Sequence, residues 1–200
     1  SAATPCGATE RWFVKVGTDP RAHEVDVAHP SPITVAELNQ LPQERDQVPA
    51  GDNTFRLDDE TRVYTVHGFL ALFKNESDSD YHLVITDESL RFTPGGPGTD
   101  GQETGTSFIA EIPDPDCVAG KQGDPSVPSV FATQLKACRE AFEQQFPQGK
   151  GADKEVNLAV TITGVAFYDR QHHQTGRAVN GIELHPLLEK WRIGDRALAD

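Results

Sequence analysis

Residues 160–187 read VTITGVAFYDRQHHQTGRAVNGIELHPL. Leu158, Val160 and Ile162 alternate with Asn157, Thr161 and Thr163, the period of a half-buried strand. Gly164 permits a bend before residues 165–168, and residues 182–188 form a further strand that can run on to Trp191. The loop between them, 169–180, carries Asp169, Arg170, His172, His173, Gln174, Arg177 and Asn180, and the second strand adds Glu183 and His185. Nowhere else does the chain set so many chemically able groups between two apolar runs.

The segments upstream decide what holds this loop. Residues 63–73 (VYTVHGFLALF) are rich in aromatic and β-branched side chains, which predicts a long strand with a bend or bulge at Gly68. The polar turn 74–80 (KNESDSD) joins it to a second strand, 81–86 (YHLVIT), making a hairpin. A Gly- and Thr-rich loop, 88–106, leads to a third strand, 107–112 (SFIAEI), stopped by PDPDC. Over 126–146, Val130 or Phe131, Leu135, Cys138, Phe142 and Phe146 recur at helical spacing, with Ser126 or Ser129 as a cap and Pro147 as a stop.

Three strands, a helix and two strands, with a long bent first strand, predict a mainly β (α+β) fold. It is a five-stranded OB-fold-like barrel over residues 62–193, with the helix between strands 3 and 4. The strand 1–2 turn and the strand 4–5 loop would flank its binding face. A generic α+β domain with another strand order is the alternative. Residues 1–61 are an N-terminal extension packed on this core, and 194–200 a tail. Within the extension, residues 12–16 (WFVKV) predict a short strand. Thr34 followed by Glu37 predicts a capped helix that Pro42 ends, and 42–60 a polar connector.

With 18 Lys and Arg against 31 Asp and Glu, the net charge is −13. That field attracts cations and disfavours nucleic acid as a partner. No run of apolar residues is long enough to span a membrane. The opening SAATP reads as a mature end after signal-peptide removal, so a secreted or periplasmic setting is expected. Asn75-Glu76-Ser77 fits a glycosylation sequon. Cys6, Cys117 and Cys138 allow one disulfide and one free thiol. Cys138 lies on the apolar helix face and reads as a buried thiol, so Cys6–Cys117 is preferred over Cys117–Cys138.

Much of the chain also resembles a family of uncharacterised, mostly exported bacterial proteins with a TGVGFFDF-HGQTG-APNGIELHP-type motif. The resemblance rests on Cys6-Gly7, Glu10-Arg11-Trp12, Gly17-Thr18-Asp19, Asp78, Asp80 and residues 82–85. It continues with 110–114, Cys117, 163–165, Asp169, His172, 174–176 and 180–186. It implies an exported protein and adds residues rather than a reaction. The chain departs from the pattern at 170–173 (RQHH) and 177–179 (RAV).

Imidazoles beside carboxylates can bind a divalent ion or move protons near neutral pH. Asp80, Asp169 and Glu183 are candidate ligands for such a cation (Ca²⁺, Mg²⁺ or Zn²⁺), and His172, His185, Glu183 and Arg170 candidate catalytic groups. His82, Gln174, Asn180 and Arg177 are candidate ligand contacts. The same residue types also build a hydrogen-bond network that pins a loop. The acidic turn 76–80 offers oxygens at alternate positions but lacks the glycine and distant Glu of an EF-hand. A Gly-x-Ser-x-Gly elbow and a phosphate-cradling Gly loop are both missing from the sequence. Two functions are expected. The first is an extracytoplasmic binding module whose two loops hold a small ligand, a glycan or a protein partner. The alternative is a metal-assisted hydrolase of the phosphodiesterase or nuclease type.

Overall fold

The computed structural model describes residues 10–89, 105–118, 127–147, 154–170, 174–188 and 192–194. Among these the chain is mainly β, with one mixed sheet of seven strands and few helices. In chain order come α1 (Trp12–Lys15), β1 (Ser31–Ile33), α2 (Val35–Asn39), β2 (Val63–Asn75), β3 (Tyr81–Thr86) and β4 (Ser107–Ile112). They are followed by α3 (Ala132–Gln145), β5 (Lys154–Tyr168), β6 (Ile182–Leu187) and β7 (Arg192–Ile193).

The sheet runs β1-β2-β3-β4-β6-β5-β7, and β2 also pairs with β5. That extra pairing closes β2, β3, β4, β6 and β5 into a ring. Within it β4 and β6 are parallel and the other pairs antiparallel. The ring can close because β2 and β5 are long, with 13 and 15 residues, so each serves two neighbours along its length. β1 adds to β2 in parallel and β7 to β5 antiparallel.

Alternation sends one face of each strand into the main core. Tyr64, Val66, Leu70, Phe73, Tyr81, Leu83, Ile85, Phe108, Ala110, Ile112, Ile162, Ala166, Tyr168 and Leu184 meet there. α3 contributes Cys138 and Phe142. Phe142 meets Phe73 edge-on at 5.0 Å and Tyr81 at 4.7 Å between ring centroids, the spacing at which aromatic pairs add to simple area burial. α2 lays Val35 and Leu38 against the same core, and its capping box is complete: Glu37 N donates to Thr34 Oγ1 while Thr34 N donates to Glu37 Oε2.

Several expectations change. Residues 12–15 form one helical turn, not a strand. Val14 N and Lys15 N donate to Arg11 O, and Arg11 itself sits at φ 49°. The strand expectation fails because Lys15 is buried together with Trp12, Val14 and Val16 while Phe13 is half-buried, a pattern without the period of two. The irregularity in β2 lies between Leu70 and Leu72 rather than at Gly68. Gly68 instead admits a close approach: a Cβ there would lie 2.7 Å from Thr86 O and 2.9 Å from Ile85 Cγ2. α3 starts later than residue 126, and its cap residue is Phe131, with no side-chain cap. Ser129 Oγ instead accepts from Phe131 N at 3.0 Å and donates to Val16 O. Ser126, Trp191, most of 88–106 and most of the expected tail lie outside the described residues. Cys138 is a free, buried thiol, which removes the Cys117–Cys138 pairing; Cys6 lies outside the described residues.

Candidate functional site

Strand register assembles the site. His82 on β3 stands opposite Glu111 on β4. On the parallel pair, Ile109 of β4 sits beside Glu183 of β6, so two residues further along both strands come Glu111 and His185. Phe167 of β5 is opposite Glu183. These residues alternate with Leu83, Ala110, Ile112, Leu184, Ala166 and Tyr168 of the main core, so their side chains stand on the other face of the ring. Asp80 leads into β3 and Asp169 follows β5.

That face is roofed. From the extension, Lys15 places Nζ 4.0 Å from Asp169 Oδ1 and 5.2 Å from the Phe167 ring centroid. From the β5–β6 loop, Thr175 O accepts from His82 Nε2 at 3.0 Å, and Gln174 Nε2 donates to Glu183 Oε1 at 3.5 Å. Gly176 takes φ 82°, and its Cα rests so close to β3 that a Cβ would lie 2.4 Å from Val84 Cγ1. Asn180 fixes the far end of the loop: its Nδ2 donates to Leu38 O and Leu41 O, both at 2.9 Å, and its Oδ1 accepts from Ile182 N. Asn39 of α2 accepts from Val179 N at 2.9 Å. As a result Asp80, His82, Glu111, Asp169, Glu183, His185 and Lys15 are each at most 7% exposed.

At the centre, ligand atoms of Asp80, Glu111 and His185 lie within 4.8 Å of one another. Glu111 bridges two imidazoles: His82 Nδ1 is 3.2 Å from Oε1 and His185 Nδ1 is 3.0 Å from Oε2. The second contact has the distance of an ion pair but not the alignment of a hydrogen bond, and both ring nitrogens of His185 lack an aligned partner. His185 Nε2 is 3.9 Å from Asp80 Oδ2, and Nδ1 is 3.9 Å from Glu183 Oε2, which also has no hydrogen-bond partner.

Among the described residues, four carboxyl groups thus share a buried space with one ammonium and two imidazoles. Two unit charges 4 Å apart interact by about 4 kcal/mol at an effective dielectric of 20, so the acids cannot all ionise cheaply. Burial pushes Asp80 well above the usual carboxylate range, and Glu111 and Asp78 push the same way. Burial, then Asp169 and Glu111, raise Glu183 likewise. For Glu111 burial also acts upward, but His185, His82 and Lys15 outweigh it and hold the group well below its ordinary value. Burial lowers His185 against the upward pull of Glu111. Glu111 and His185 compete for one proton, and the direction that stands is the ionised Glu111, because His82 and Lys15 face it as well. Burial opposes the charge on Lys15, yet Asp169, Glu111, Glu183 and Asp80 together raise its pKa.

Of the residues expected from sequence, the fold brings together Asp80, His82, Asp169, Gln174, Glu183 and His185. Arg170 is exposed and Arg177 half-buried, and His172 lies outside the described residues. Asn180 uses both functions of its amide on backbone partners, as a loop-fixing residue does. Sequence reasoning missed Glu111 and Lys15. The signal was present in both: one charge inside an apolar strand run, SFIAEI, and one inside WFVKV, where charges are rarely buried without a partner. No protein-family model and no curated protein matches this chain.

Proposed function

We propose that this chain is a binding module whose ligand is a divalent cation, held on the outer face of an OB-like ring beneath the β5–β6 loop. One observation carries the reading: a fully buried imidazole, His185, has carboxylate oxygens of Glu111, Asp80 and Glu183 at 3.0, 3.9 and 3.9 Å and no aligned hydrogen bond at either nitrogen. A buried polar atom left without a partner costs about 1–3 kcal/mol, and surplus buried carboxylates add to that. A cation bound between them offsets both costs.

The OB-like description is supported by the ring order. Taken along the chain, its strands neighbour one another as first, second, third, fifth, fourth and first again. The third and fifth are parallel, and α3 lies between the third and fourth. The turn before β3 supplies Asp80 and the β5–β6 loop supplies the roof, matching the loops such a fold uses for binding. A secreted or periplasmic setting belongs to the same proposal, supported by the resemblance to exported proteins. The hydrolase alternative has weaker support, since of the two arginines this loop offers it Arg170 is exposed and Arg177 only half-buried, while the acids are buried.

The test is a thermal-shift series on chelator-stripped protein with Ca²⁺, Mg²⁺, Mn²⁺ and Zn²⁺ added singly. At least one ion is expected to raise the melting temperature of the wild type and to leave His185→Ala unmoved. If none raises it, the chain does not bind a cation here.

A further inference from the structure

Resting on that reading, we infer that the bound ion is of the first-row transition class, Zn²⁺, Mn²⁺, Fe²⁺ or Co²⁺, ligated by Asp80, Glu111 and His185, and is neither Ca²⁺ nor Mg²⁺. The donor set decides the ion class. Ca²⁺ sites use six to eight oxygens, commonly with backbone carbonyls, and Mg²⁺ sites use carboxylates and waters. Here the central donor is an imidazole, which suits the later divalent ions. The loop carbonyl that roofs His82, Thr175 O, already accepts from it at 3.0 Å.

The surroundings have the form of a support shell for such an ion. A ligating carboxylate is normally held by a further hydrogen bond that fixes its orientation. Glu111 Oε1 is held in that way by His82, itself anchored to the loop backbone. Lys15, from the roof, meets Asp169 and the Phe167 ring and closes the site on that side. Glu183 stands 3.9 Å from His185 Nδ1 with Oε2 free of hydrogen bonds, a place from which it can orient the ring.

The experiment titrates chelator-stripped full-length protein with Zn²⁺, Mn²⁺, Ca²⁺ and Mg²⁺ by calorimetry, and records the visible spectrum of the Co²⁺ adduct. Zn²⁺ should bind at least about tenfold more tightly than Ca²⁺ or Mg²⁺. Co²⁺ should give absorption bands that are lost in His185→Ala. His185→Asp, which makes the donor set all oxygen, should narrow or reverse the Zn²⁺ preference. Should either variant fail to fold, the wild-type affinity order and Co²⁺ bands still decide the question. Ca²⁺ or Mg²⁺ binding as tightly as Zn²⁺ would overturn the ion class and leave the cation site standing. Zn²⁺ binding unchanged in a folded His185→Ala variant would overturn these ligands. Silence of all four ions would remove the parent reading itself.

Discussion

Two buried groups of charges lie side by side in this protein, and they are built in opposite ways. The first ties the N-terminal extension to the ring. Arg11 donates to both Glu60 oxygens at 2.8 and 2.5 Å and to Tyr168 O, while Glu60 also accepts from Leu57 N and Tyr168 N. Arg56 grips Asp19 through Nε and Nη2 and donates to Glu60 O and Val14 O. Each acid there has its guanidinium. In the second, around Glu111, the described acids outnumber the described fixed cations and an imidazole lacks aligned partners. Complete pairing is what a charge needs to be structural in a dry interior. The acid-rich grouping at the same depth is what the proposed cation would balance.

The contrast can be broken by making the same substitution in both places. Glu60→Gln removes a carboxylate that accepts four hydrogen bonds and strands Arg11; chemical denaturation should show a loss of about 3–5 kcal/mol. Next in size is Asn180→Ala, which leaves the carbonyls of Leu38 and Leu41 without their amide donor and should cost about 1–3 kcal/mol. In chelator-stripped protein near pH 8, Glu183→Gln should instead raise the melting temperature, because it removes a charge that burial, Asp169 and Glu111 all disfavour. A fall comparable to that of Glu60→Gln would erase the distinction between the two regions.

The pH dependence of the metal-free protein sharpens this further. Raised pKa values at Asp80 and Glu183 mean that the folded state binds their protons more tightly than the unfolded one. The resulting stabilisation is complete below their ordinary values of 3.8 and 4.5 and fades as pH rises through the raised values. Stripped wild type should therefore lose stability between weakly acid and neutral pH, and Glu183→Gln should lose less of it. The smallest expected signal is chemical: burial pushes the Cys138 thiol up to about 12, so alkylation of that residue at pH 8 should await unfolding.

Strands were the most legible part of the sequence. Residues 81–86 and 107–112 were read to the residue, because β-branched runs bounded by polar or Pro-rich stops leave little freedom. α2 followed from Thr34 and Glu37. α1 did not, since its helical turn is held by Arg11 reaching Glu60, 49 positions along, and by Lys15 reaching Asp169, farther still, and no local pattern contains those partners. The site was half legible for the same reason. Asp80, Glu183 and His185 stood out as polar residues beside strands. Glu111 was hidden, because its partners are set by a parallel register between β4 and β6 that sequence spacing does not reveal. Asn180 was conspicuous with two readings, a ligand contact and a loop-fixing amide, and its bonds to Leu38 O, Leu41 O and Ile182 N are those of the second.

α1 carries one last consequence. Arg11 at its start joins the first group and Lys15 near its end joins the second, while the buried indole of Trp12 packs with Val16, Cys117, Val118 and Leu135. That indole is a built-in optical reporter. In a Trp191→Phe background it is the remaining tryptophan of the chain, so loading the site should register as a shift in emission from residue 12, read without any label.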